Sequence, residues 1–123
     1  MDTPRIAMTS IDCAEVAPVA RFWADLLDLE VVATDDLQTY AMLAAPSGGG
    51  PALGFGRVEG HRPPSWPDEH GAKQMHLDVA VADIAAAEAR ALELGATLAD
   101  PQPGETWRVL IDPAGHPFCL CWG

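Results

Sequence analysis

Residues 73–98 read KQMHLDVAVADIAAAEARALELGATL, and the fold follows from how this stretch divides. Met75, Leu77, Val79 and Val81 alternate with His76, Asp78 and Ala80, the two-residue period of a strand with one face covered and the other open. The segment ADIAAAEARALELG is rich in alanine, the strongest helix former, and stops at Gly95, a residue suited to a left-handed C-cap. ATLAD, TWRVLIDP and PFCLCW follow as three β-compatible runs, separated by the turn-forming PQPGE and PAGH. The order is one strand, one helix and three strands, βαβββ.

The same order is written earlier in the chain. IAMTSID is a short strand, and AEVAPVARFWADLLDL sets Val16, Val19, Ala20, Trp23, Leu26 and Leu27 on one helical face. Pro18 falls in the first turn of that helix, where its missing N–H costs little. EVVAT, TYAMLAAP and PALGFGRV complete the meander, with DDLQ and SGGG as turns. Met8 and His76 are 68 residues apart, as are Glu15 and Asp83, while Asp28 and Gly95 are 67 apart. An internal repeat of this kind specifies the fold. We expect an α+β protein with one domain over 1–123: module one at 4–58, a polar Pro-rich linker at 59–73 and module two at 74–122. Alternation predicts two antiparallel four-stranded sheets with their helices outside, related by approximate two-fold symmetry.

The 123 residues carry a net charge of −11, which excludes a phosphate backbone as partner and disfavours an anionic membrane. A soluble cytoplasmic protein that handles a neutral or cationic small molecule fits better. No apolar run reaches the ~20 residues of a membrane span, and MDTPRIAMTS lacks the pattern of a secretory signal. Cys13, Cys119 and Cys121 read as free thiols.

Three segments, ARFWADLLDLEV, HLDVAVADIAAAEARALELGA and the closing IDPAGHPFCLCW, resemble the vicinal oxygen chelate (VOC) superfamily. That superfamily includes glyoxalase I, extradiol dioxygenases and the bleomycin- and fosfomycin-resistance proteins, and the likeness is strongest to its small glyoxalase-like domains. The resemblance implies paired βαβββ modules whose mixed sheets form a cup, often in a homodimer. In metal-using members, first and last strands of both modules supply a His/Glu-type set for a divalent ion. Carried over, those positions are Met8 and His76 on the first strands and Cys119 on the last strand of module two. In PALGFGRV one parity offers Gly54 and Gly56, the other Leu53 and Phe55, and neither is a ligand. Met8 is a soft thioether, so we expect no cofactor and no complete metal site; a divalent metal, if bound, would use His76 and Cys119, with Asp78 helping.

The remaining candidates follow from side-chain chemistry. His76 and Asp78 share a strand face and can anchor a ligand or serve as a general base, with Arg57 or Arg108 as a counter-ion for Asp78. The expected ligand-binding set is Met8, Ser10, Phe55, His76, Asp78, Trp107, Cys119 and Cys121. Both of these cysteines read as small core thiols, although a nucleophilic one would have His76 as its base. Trp23 reads as core, and Trp107 and Trp122 as core, dimer contact or pocket wall. His116 reads as exposed in a turn; Trp66, His61 and His70 lie in the linker as a surface segment or a lid. SGGG lacks the Lys-Ser/Thr of a phosphate loop and reads as a hairpin turn. The expected function is small-molecule binding without turnover. The alternative is a lyase, isomerase or dioxygenase-type enzyme using His76 and Asp78, metal-independent or with an atypical metal site.

Overall fold

The computed structural model describes residues 3–65 and 75–122, in two compact units that divide between His61 and Arg62. The first unit runs β1 (Met8–Cys13), α1 (Val16–Leu27), β2 (Glu30–Thr34), β3 (Tyr40–Ala44) and β4 (Ala52–Arg57). The second runs β5 (Leu77–Val81), α2 (Ile84–Leu94), β6 (Thr97–Leu98), β7 (Trp107–Ile111) and β8 (Pro117–Trp122). Each unit is βαβββ. No helix among the described residues is long and apolar enough to cross a membrane.

The sheets are ordered β1-β4-β3-β2 and β5-β8-β7-β6. Meander neighbours are antiparallel, but β1 pairs with β4, and β5 with β8, in parallel. The sheets are thus mixed, as the family resemblance implies, and not antiparallel throughout as alternation alone predicted. The reason is topological: the helix carries the chain back, and two further reversals return the last strand to the direction of the first.

The helix ends show how closely the two units repeat. Glu15 and Asp83 are both N-caps with extended backbone, and Asp28 (φ 53) and Gly95 (φ 117) are both left-handed C-caps. Only Asp83 caps with its side chain, accepting a hydrogen bond from the Ala86 N–H at 3.0 Å. α1 buries Val16, Val19, Ala20, Phe22 and Trp23 against Ala41, Leu43, Leu53 and Phe55 of β3 and β4. Trp23 is core as expected, its ring edge-to-face with Phe22 at 5.2 Å, whereas Leu26 and Leu27 are only half-buried. α2 lies over β8 and β7, where Ala91, Leu110, Phe118 and Leu120 are buried. An Arg108–Glu88 ion pair at 2.7 Å ties β7 to that helix.

Between β2 and β3, Asp36 and Leu37 take positive φ. Asp35 holds this turn by accepting from the Thr39 hydroxyl and from the N–H groups of Thr39 and Tyr40. These bonds lower its carboxyl from 3.8 to about 2, the Thr39 hydroxyl contributing most. In the β7–β8 hairpin, Asp112 is 4% exposed and accepts from the N–H groups of Ala114 and His116. His116 is half-buried, where exposure was expected.

The difference between the two N-caps is measurable. Asp83→Ala should lower unfolding free energy by about 1 kcal/mol in urea denaturation, because an orphan helix N–H loses its partner. Glu15→Ala should fall within about 0.5 kcal/mol of the parent, since its side chain caps nothing.

Candidate functional site

The parallel register of β5 on β8 sets Asp78 beside Cys119 and Ala80 beside Cys121. On the other flank of β8, β7 sets Val109 beside Cys119 and Trp107 beside Cys121. These residues share the sheet face opposite α2; Leu77, Phe118, Val79 and Leu120 take the helix face. Strand parity thus delivers the polar pair to the open face, as the alternation predicts. His76 lies one residue before β5, its Nε2 3.1 Å from Asp78 Oδ1, with the two side chains 32% and 62% exposed. Within the second unit Asp78 meets His76, while the expected counter-ion Arg108 is engaged with Glu88.

Around this pair the second unit forms an open cleft of about 440 Å³. Cys119 and Cys121 line it with Thr106, Trp107 and Trp122. Cys119 is 8% exposed and packs with Val109 and Ala99; Cys121 is half-buried and its thiol donates to the Val79 carbonyl at 3.6 Å. The Trp107 ring lies on Gly104 so closely that any Cβ there would overlap it. β6 is only two residues long, and Gln102 takes over the pairing with β7 where β6 stops. Its amide nitrogen donates to the carbonyls of Val109 and Ala99, and its amide oxygen accepts from the Val109 N–H. That side chain fixes the loop that carries Gly104 and Thr106 to the cleft rim.

The first unit repeats the backbone without the chemistry. Thr9 pairs with Leu53 as Leu77 pairs with Phe118, so Met8, Ser10 and Gly54 stand where the second unit has His76, Asp78 and Cys119. Met8 lies over Gly54: a Cβ there would sit 2.8 Å from the Met8 Sδ. Phe55 is 2% exposed and on the opposite face of β4 from Met8 and Ser10, so it does not join the open face as a ligand contact. His61 is half-buried, its N–H donating to the Val58 carbonyl at 3.1 Å. The linker residues Trp66 and His70 lie outside the described residues.

A glyoxalase-like domain family model matches residues 8–121, nearly the whole chain. The chain belongs to the glyoxalase-like domain family. It is therefore a member of the VOC superfamily, and solved structures agree at the level of fold. A possible glyoxalase from Bacillus cereus superposes with a TM-score of 0.70 at 14% identity, covering 97% of this chain and 99% of that one. The bleomycin-binding protein of Streptomyces verticillus, solved with copper(II)-bleomycin, gives 0.60 at 19% identity over 100% and 99%. Oxidase ChaP-H2 gives 0.67 at 24% identity over 99% and 95%. No curated protein matches the sequence significantly.

The donor set of this glyoxalase-like chain can be tested against the two-module metal centre of metal-using VOC proteins. In the first unit, the Met8 thioether packed over Gly54 supplies no nitrogen or oxygen donor at either position. That centre does not fit. In the second unit, His76, Asp78 and Cys119 bring one nitrogen, one oxygen and one sulfur within 4.8 Å of one another. This trio is able to hold a borderline ion such as zinc, but only with an outside ligand to complete four-coordination. Sequence reasoning had both His76 and Cys119 and the help of Asp78. It missed Thr106 and the bracing role of Gln102, because PQPGE carries only turn signals.

Calorimetric titration with zinc, nickel and manganese should show no one-to-one site of micromolar strength or better. A tight site that disappears in His76→Ala would contradict the donor argument.

Proposed function

We propose that the chain binds a small organic molecule in the cleft of its second module, held directly by protein groups rather than through a metal. The observation that carries this reading is the His76–Asp78 pair at 3.1 Å on an open sheet face, beside two partly exposed tryptophans. An apolar wall with a few convergent polar groups is the usual composition of a ligand site. A neutral imidazole donates at one nitrogen and accepts at the other, and a carboxylate on one of them fixes which does which. The bleomycin-binding protein among the structural neighbours supports the reading at the level of fold, since it holds a drug on this architecture.

A second reading follows from the same pair. An imidazole oriented by a carboxylate is suited to take a proton from carbon or oxygen of a bound substrate, so a metal-independent lyase or isomerase with His76 as general base is the enzymatic alternative. In that case Asp78 orients His76 and is not itself the base. We favour binding without turnover because Met8 and Gly54 supply no nitrogen or oxygen donor for a metal that would stabilise the charge carbon deprotonation creates.

Thermal-shift screening of an organic metabolite panel tests the proposal. A ligand at about 100 times its Kd should stabilise the protein by about 2.7 kcal/mol. His76→Ala should weaken that ligand by about 1–3 kcal/mol, the cost of leaving a buried polar partner unsatisfied, and leave the unliganded protein folded. A ligand whose affinity ignores His76→Ala would place binding elsewhere. Turnover that is lost in His76→Ala would favour the enzymatic reading.

A further inference from the structure

We propose that the ligand is a flat aromatic cation, stacked on Trp107 with its positive charge turned to Asp78. This rests on the second-module cleft being the ligand site and adds the chemical class of the ligand.

The charge of the cleft is one-sided. Asp78 lines it, no arginine or lysine does among the described residues, and His76 engages one carboxylate oxygen while the Asp78 side chain remains 62% exposed. The whole chain carries −11, so its long-range field concentrates cations and repels anions. An anionic ligand would meet Asp78 with only the His76 imidazole, already engaged by that carboxylate, to compensate it. A neutral one would leave the exposed carboxylate unused.

The walls select shape. Trp107 is 37% exposed even though its ring is seated on Gly104, so the indole is fixed in place and still open to a stacking partner. Trp122, 66% exposed, borders the cleft at the end of β8 but pairs with Val81 on the parity of the helix face, so Trp107 is the stacking wall. Indole faces carry negative quadrupole charge and attract cations more strongly than other aromatic side chains do. Cys119 and Cys121 contribute soft, polarizable sulfur along β8, beside Trp107. A ring system carrying delocalised positive charge satisfies the indole and the carboxylate together, whereas a compact ammonium leaves most of the indole surface uncovered.

Three tricyclic probes of similar size separate these terms: proflavine as cation, acridine as neutral ring and 9-anthracenecarboxylate as anion. Calorimetry slightly above neutral pH, with tryptophan quenching as second readout, gives their affinities for the full chain. Proflavine should bind one-to-one and at least about tenfold more tightly than acridine, and the anion most weakly. Asp78→Asn should bring proflavine to within about threefold of acridine, and Trp107→Ala should weaken both, with Trp107→Phe retaining part of the binding. If proflavine and acridine bind equally and both weaken in Trp107→Ala, the cation assignment is overturned while the cleft stands as the site. If no probe responds to either substitution, the cleft itself is overturned as the site.

Discussion

The parallel pairing of β5 with β8, in the register that sets Asp78 beside Cys119, decides what the second module can do. A parallel pair fixes which residues share a face, and a slip of one residue would send the polar set under α2 and the apolar set into solvent. Phe118, Leu110 and Leu120, all 1% exposed or less, lock the register from the helix side. The open face is then left to His76, Asp78, the two thiols and Trp107. The hydrophobic core thus acts on function indirectly, by choosing the face on which the polar residues emerge.

Comparison of the two modules shows how far side chains diverge on one backbone plan. N-caps, C-caps and strand registers correspond, yet the site residues do not. Met8 over Gly54 closes one open face with a thioether and an absent side chain, while His76, Asp78 and Cys119 furnish the other with three different donor types. The first module offers no counterpart to these donors, and our proposal of direct ligand recognition rests on that asymmetry.

Much of the fold was legible in the sequence because it rests on local signals. Gly95 and Asp83 mark helix ends, alternation in Met75–Val81 marks a strand, and a repeat of 68 residues fixes the module order. Parallel pairing was less visible, since alternation reports which face is covered and not which strand lies alongside. The polar pair was readable for the same reason of parity. The partner of Asp78 was not: a nearby arginine looks the better counter-ion in sequence, but Arg108 falls on the opposite parity and meets Glu88 on α2. Phe55 illustrates the same limit, because the parity of a Gly-flanked strand cannot be read until its register is known. Gln102 was hidden for a different reason. Its side chain imitates backbone pairing, and no spacing rule announces that.

The most direct test of direct ligand recognition in the second module is a crystallographic soak with a library of small organic fragments, recorded at wavelengths that reveal bound transition metals. Fragment density should gather against Trp107 and the His76–Asp78 pair, with no anomalous peak joining His76, Asp78 and Cys119. An ordered metal on those three residues, or fragments that settle elsewhere and leave this cleft empty, would contradict the account.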